Sequence, residues 1–358
     1  MAISPARRVA FDILRKVEGG GYASDLLAPP GAAGLEARDA GLASEIVFGV
    51  LRYQAQIDWL IAHHSGRKGT LDPEVRIALR MGVYQLRYLE RVPGHAAVGE
   101  SVELVKRAKK SSAAGFVNAV LRKVGREAVA WPSREVELSC PEWLLARWER
   151  QFDRKTAEGI ARAALREPEK YTRGARVQDI GSQAIVPLLG LEAGQTFLDL
   201  CAAPGNKTAQ ALEVGVKAIA CDLHWHRVRG MKDLGIPLLV VDGTKGLPFA
   251  RKFDRILVDA PCSGTGTLGR NPEIKWKLRE EDLAELQARQ AALLRNALGA
   301  LKPGGVLVYS TCSLEEEENE QVVARAGQQA CLTLRIPGRD PGDGFFAAVI
   351  TSPTGSPN

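Results

Sequence analysis

Two cysteines stand in runs whose residue types suit covalent chemistry. Cys262 lies in DAPCSGTG (259–266), behind Asp259, and Cys312 lies in STCS (310–313). Each run follows a short continuous apolar stretch, RILV or GVLVY, of the kind that forms a buried parallel strand. Both thiols are therefore expected at the carboxyl ends of adjacent strands, at the mouth of one cleft, where open α/β sheets bind their ligands. A thiolate in such a place is a nucleophile. A third run, DLCAAPGNKT (199–208), puts Ala202, Ala203 and Gly205 at a strand-to-helix turn, where small residues let a ligand approach the backbone and Pro204 stiffens the path. It is neither the GxGxxG of dinucleotide enzymes nor a GxxxxGK[ST] phosphate loop. Asp222 and Asp242 end the next two apolar stretches. Alone, each would read as a helix cap. In register with the small-residue loop they read as an adenosine pocket, with Asp222 placed to accept bonds from ribose hydroxyls. Cys201 and Cys221 also neighbour strand ends, but in apolar context, and read as structural thiols.

The elements that must position these groups are legible from about residue 183 onward. TFLDLCA, KAIACDL, PLLVVDG, RILVDAPC, GVLVYSTC and FFAAVI alternate with helical patterns such as EDLAELQARQAALLRNALGAL. Continuous apolar strands separated by helices predict a Rossmann-like α/β domain, a parallel sheet covered on both faces. Residues 1–130 instead repeat apolar residues at three-four spacing, as in ARRVAFDILRKV and PEVRIALRMGVYQLRYL, with breaks at 19–21, 29–31, 72–73 and 93–94. They predict an all-α bundle, carrying a basic cluster of Lys106, Arg107, Lys109 and Lys110 near one helix end. Between the two, PEWLLARWERQF reads as a short amphipathic helix and EPEKYTRGARVQ as an exposed crossing segment.

The 358 residues are 45% hydrophobic and 25% charged, which excludes a chiefly disordered, collagen-like or disulfide-scaffolded chain. No stretch approaches the roughly 18 apolar residues of a membrane span, and the first residues lack the apolar core and cleavage site of a secretory signal. The expectation is a cytoplasmic protein. Net charge is +6, and residues 1–130 carry 19 Lys and Arg against 13 Asp and Glu, so the excess sits in the helical third. That distribution points to a polyanionic partner. The six cysteines form no CxxC pairs and have no His at ligand spacing, so no metal site is expected.

DLCAAPGNKT, VDAPCSGTGTLGRNPEIKW (258–276) and YSTCSLEEEENE (309–320) closely resemble the Nol/Nop/Sun group of S-adenosylmethionine-dependent RNA cytosine-5 methyltransferases. VQDIGSQ (177–183) and GDGFFAA (342–348) match in the same order, so the resemblance covers roughly residues 177–350. The helical third, ending in HAAVGESVELVKRAKKSSAAGFVNAVLRKV, resembles the NusB-type RNA-binding domain. That fusion is typical of the bacterial Sun/Fmu type of small-subunit ribosomal RNA methyltransferase. The implied organisation is a NusB-like bundle (1–130), a connector (131–176), a Rossmann-like methyltransferase domain (177–351) and a tail (352–358).

The resemblance also implies roles. Cytosine carbon 5 is a poor nucleophile until a thiolate adds to carbon 6, which splits one difficult step into two easier ones. Cys312 is the implied nucleophile, Cys262 assists breakdown of the adduct, and Asp259 bonds the cytosine edge while bordering the cofactor. The cofactor loop maps onto Cys201, Ala202, Ala203, Pro204, Gly205, Asn206 and Lys207, with Asp222 at the ribose and Asp242 at the adenine. Lys207 reads either as a cofactor or substrate contact or as a solvated first-turn lysine. Arg270, Lys275 and Lys277 are candidate phosphate contacts, and Trp276 is either a base stacker or a core aromatic. Two departures stand out. Asn206 occupies a position where the family has Gly, a turn that Asn tolerates in left-handed geometry, and the connector lacks most of the family's RNA-contacting insert. The leading expectation is 5-methylcytosine formation in small-subunit (16S) rRNA. The same chemistry on transfer RNA or another ribosomal site, and a non-catalytic RNA-binding assembly protein, remain as alternatives. RNA is the expected partner of a monomer, with neither DNA nor a membrane involved.

Overall fold

The computed structural model describes residues 2–28, 34–66, 69–250 and 252–354. The break at 29–31 and the last four tail residues lie outside the described residues. The chain forms two compact units, Met1–Glu167 with Leu268–Lys277, and Pro168–Thr267 with Leu278–Asn358.

The first unit is helical: α1 (Pro5–Glu18), α2 (Ala23–Leu27), α3 (Ala37–Arg52), α4 (Gln54–Ser65), α5 (Pro73–Tyr88), α6 (Gly94–Arg107), α7 (Ala114–Leu121), α8 (Arg134–Glu137), α9 (Glu142–Gln151) and α10 (Arg154–Ala164). Pro5 and Pro73 open α1 and α5, where their missing N–H costs nothing. Gly66, at φ 63°, ends α4. Along α1 the buried residues Ala6, Ala10, Phe11, Ile13, Leu14 and Val17 make the three-four stripe read from the sequence. Buried Arg7 is matched by Gln85 (2.5 Å) and Glu100 (2.8 Å). The basic cluster at the end of α6 is largely paired: Lys106 with Glu103, Arg107 with Asp12 and Lys110 with Asp72.

The connector is more structured than expected. The amphipathic helix is α9, but capped helices flank it, with Ser133 and Asp153 as N-caps of α8 and α10. Ser139 accepts from the Ala55 N–H, and the Glu137 carbonyl from Gln56. These bonds make residues 131–167 part of the helical unit, so the compact division falls at Glu167 and Pro168.

The second unit holds a two-stranded hairpin, β1 (Thr172–Arg173) with β2 (Arg176–Val177), and a seven-stranded sheet. The sheet comprises β3 (Thr196–Asp199), β4 (Lys217–Asp222), β5 (Leu238–Val240), β6 (Phe253–Asp259), β7 (Leu301–Thr311), β8 (Cys331–Arg335) and β9 (Phe345–Thr351), in the order β5-β4-β3-β6-β7-β9-β8. Short helices α11 (Ile180–Gln183), α12 (Asn206–Leu212) and α13 (Trp225–Arg229) precede α14 (Ile274–Lys277), which belongs to the helical unit. Helices α15 (Asp282–Gly299) and α16 (Glu320–Arg325) follow. Alternate residues of each central strand feed opposite faces. Leu198, Ile256, Val258, Leu307 and Tyr309 pack with Leu293, Leu294 and Ala297 of α15. Phe197, Leu257 and Val308 pack with Ile185, Val186 and Leu189 on the other side.

The sheet is not wholly parallel, as the apolar runs had implied. β9 is antiparallel to both β7 and β8. The short link 336–344 between β8 and β9 is a hairpin connection, because a parallel pair needs a crossover of about a dozen residues or more. Strand β8 escaped the sequence reading because it is an edge strand whose first three residues are exposed, with no buried apolar run to betray it.

The segment Leu268–Lys277 corrects a second expectation. Ala23 donates its N–H to Glu273 (2.7 Å), Lys275 Nζ donates to the Arg52 carbonyl (2.9 Å), Trp276 Nε1 to the Leu51 carbonyl (2.7 Å) and Lys277 Nζ to the Gly21 carbonyl (2.6 Å). Lys275 and Lys277 thus serve helix-end and turn carbonyls within the helical unit rather than standing free for phosphates, and Trp276, half-buried, is tied to the same unit by its indole N–H. Burial lowers Lys275 to about 8. Between pH about 8 and 10.5 the unfolded chain holds this proton and the folded chain does not, so stability rises with pH across that window. The stability of the wild type minus that of Lys275→Met, from urea unfolding, should grow by up to about 3 kcal/mol over it. A flat difference would show that the ammonium stays charged inside.

Candidate active site

β3 delivers the small-residue loop. Gly205 sits at φ 96° and its N–H closes on the Ala202 carbonyl at 2.7 Å. The left-handed position is therefore Gly205 and not Asn206, which begins α12 and bonds the Val177 carbonyl instead. The Gly-to-Asn departure costs the turn nothing. The loop is joined to β4 through Ala202 N–H to the Cys221 carbonyl, 2.8 Å. Burial holds the Cys201 thiol well above the usual range and pushes Cys221 up to about 12, as befits structural thiols.

Three carboxylates stand along this edge. Asp222, 4% exposed, accepts from the His224 N–H (3.1 Å), with Arg227 at 3.5 Å. Asp242 turns onto its own loop, accepting from the Thr244 N–H (3.1 Å) and hydroxyl (2.6 Å), which hold it below the usual carboxylate range. The third, Asp199, opens the DLCAAPGNKT run and had no role assigned from the sequence. Its Oδ2 accepts from Thr208 at 2.7 Å, while buried Oδ1 has no partner among the described residues. Burial pushes this carboxyl up to about 7.

β6 and β7 run parallel with Asp259 paired to Ser310, which aligns the two cysteine loops. Cys262 Sγ and Cys312 Sγ come to 3.4 Å. Asp259 beside them accepts from Lys207 Nζ (2.6 Å) and Ser310 Oγ (2.8 Å). The solvated reading of Lys207 fails. Burial works against its charge, but Asp259 and then Asp199 outweigh that and hold the ammonium above its usual value. Cys262 is pushed well up, first by its hydrogen bond with Cys312 and then by burial. Either thiol can be the donor across this contact.

The loops are tied at close quarters. Gly266 donates to the Cys312 carbonyl (2.9 Å) and accepts from the Gly344 N–H (2.8 Å). A Cβ at 266 would stand 2.5 Å from the Gly344 oxygen and 2.8 Å from the Cys312 oxygen, both backbone. Gly266→Ala should displace the Cys312 loop and reduce activity by about 100-fold, at a stability cost of about 1–3 kcal/mol. Near wild-type turnover in a steady-state assay would mean that the backbone gives way freely.

Residues 186–331 match the family model described as 16S rRNA methyltransferase RsmB/F, and residues 4–126 match the NusB family. A ribosomal RNA small subunit methyltransferase B of Klebsiella pneumoniae is 32% identical over 426 aligned positions, covering 96% of this chain and 97% of the relative. The alignment is longer than the chain, so that relative carries stretches with no counterpart in this protein. A probable ribosomal RNA small subunit methyltransferase B of Bacillus subtilis is also 32% identical, covering 90% of this chain and 88% of the relative. Among solved structures, PH0851 shares the fold with a TM-score of 0.79 at 23% identity, over 98% of this chain and 99% of that one.

Proposed function

We propose that this chain, which belongs to the RsmB/F family of 16S rRNA methyltransferases, forms 5-methylcytosine in small-subunit rRNA through a covalent bond between Cys312 and carbon 6 of the base. The observation that carries this reading is the pair of cysteines 3.4 Å apart, beside an Asp259 held by Lys207.

The chain is an S-adenosylmethionine-dependent methyltransferase, and the residues present fit that cofactor. The buried Asp199 oxygen without a partner, the nearly buried Asp222 and the small residues Ala202, Ala203 and Gly205 offer acceptors and room for a cationic nucleoside. Asp242 lies at the same edge. When bound, S-adenosylmethionine supplies a sulfonium methyl group to the electron pair of activated carbon 5.

Cys312, its proton having passed to solvent, adds to carbon 6 as a thiolate and forms the sulfur–carbon bond. Charge then builds on the ring nitrogen, where Asp259 stands with Lys207 as a proton source 2.6 Å away. With Cys312 bonded to carbon, the hydrogen bond that most raises Cys262 is gone. Cys262, once its own proton has passed to solvent, is the base placed to take the carbon 5 proton as a thiolate, after which the ring nitrogen returns its proton, the sulfur–carbon bond breaks and Cys312 leaves with its electron pair. The target base must be unpaired or flipped, because a stacked cytosine cannot present both faces.

Methyl transfer from labelled S-adenosylmethionine to deproteinised ribosomal and transfer RNA, with the product nucleoside mapped, tests this directly. One 5-methylcytidine in small-subunit RNA is expected. Label confined to transfer RNA would keep the two-cysteine chemistry and replace the substrate. Label in a nucleoside other than 5-methylcytidine would overturn the chemistry.

A further inference from the structure

The two cysteines belong to loops separated by about fifty residues, and one buried side chain bridges them. Glu318, with none of its surface exposed, accepts from the Ser263 N–H (2.8 Å) and from Gln290 Nε2 (2.9 Å) through Oε1. Its Oε2 accepts from Ser313 Oγ (2.5 Å) and from the Ser263 hydroxyl. Ser263 follows Cys262 and Ser313 follows Cys312, so one carboxyl group grips the residue next to each sulfur.

The neighbours of Glu318 complete the grip. Gln290 on α15 also donates to the Pro261 carbonyl (2.9 Å), so Cys262 is held on both sides. Asn319 accepts from the Thr311 hydroxyl (2.6 Å) and donates to the Ser313 carbonyl (3.0 Å), so Cys312 is held on both sides as well. Tyr309 anchors the bridge by donating to the Glu318 carbonyl at 2.6 Å. The Ser263 amide, the Gln290 side chain and the two serine hydroxyls that donate to the Glu318 carboxyl are all neutral, so the arrangement is a geometric clamp and not an ion pair.

We propose that Glu318 is a positioning residue that sets the separation of the Cys262 and Cys312 sulfurs. Substrate does not touch it. Its effect passes through Ser263 and Ser313, and reactions of this kind are sensitive to displacements of about 1 Å, which can cost about 100-fold. The assignment rests on the two-cysteine mechanism above for its kinetic consequence, but its geometric consequence stands apart from activity.

Both are measurable on the full chain. Phenylarsine oxide bonds two thiols at once, its arsenic joining both sulfurs while the two thiol protons leave with the oxide oxygen as water. Uptake by the wild type that disappears in Cys312→Ala reports the pair. Glu318→Ala is expected to weaken that uptake at least tenfold. It should also lower kcat about 100-fold with KM for RNA within threefold, and Glu318→Gln should recover most of both. Should Glu318→Ala fail to fold, the Ser263→Ala/Ser313→Ala double variant removes the hydroxyl donors and should show the same pattern about tenfold weaker. A folded variant of either kind with unchanged arsenical uptake and unchanged kcat overturns the proposal. A wild type that takes up the arsenical but methylates no RNA would overturn the functional reading instead, while the uptake comparison still decides the role of Glu318.

Discussion

Cys312→Ala will transfer no methyl group to RNA above about one ten-thousandth of the wild-type rate, while still binding S-adenosylmethionine. Removing a covalent nucleophile leaves only binding and orientation, and in enzymes of that kind the loss is several orders of magnitude. Cofactor affinity should survive because the proposed adenosine edge lies at the ends of β3, β4 and β5, whereas Cys312 follows β7. Single-turnover transfer of labelled methyl groups measures the first quantity, and calorimetric titration the second. Residual transfer within tenfold of the wild type would remove Cys312 from the chemistry altogether.

Cys262→Ala will trap the enzyme on its RNA. The thiol lies 3.4 Å from Cys312, the proposed nucleophile, and is the proposed acceptor of the carbon 5 proton once the adduct has formed. Without it the adduct forms, but the carbon 5 proton has no placed acceptor. Losing a positioned acid or base costs about 100- to 10,000-fold. A slowly migrating protein–RNA band should accumulate on a denaturing gel, with at most one methyl group transferred per enzyme. Multiple turnovers without such a band would assign the proton to another group, with Asp259 the next candidate.

Much of the proposed site's placement on the fold was legible in the residues. Alternating apolar runs and helical patterns located β3, β4, β5, β6, β7 and β9, and the clusters at the strand ends named Cys262, Cys312, Asp259 and the small-residue loop as candidates. What escaped depended on packing. Lys275 and Lys277, read as phosphate contacts from their charge, cap carbonyls of the helical unit because Leu268–Lys277 folds into it. Asp199 is an ordinary strand-end residue in DLCAAPGNKT until burial leaves one oxygen without a partner among the described residues. Glu318 stood within YSTCSLEEEENE with no role assigned to it, and only its neighbours show that it is wholly enclosed.

The sequence by itself determined which residues stand at the strand ends, because element type and the residues at a turn follow from local periodicity and short-range sterics over a few residues. The direction of β9, the membership of Leu268–Lys277, the pairing of Lys207 with Asp259 and the clamp on the two cysteines were decided only by the tertiary structure. Each of these joins residues distant in the chain, or fixes which polar atoms lose their water. The free energy of such groups is set by the partners that burial brings to them, and a linear pattern does not contain those partners.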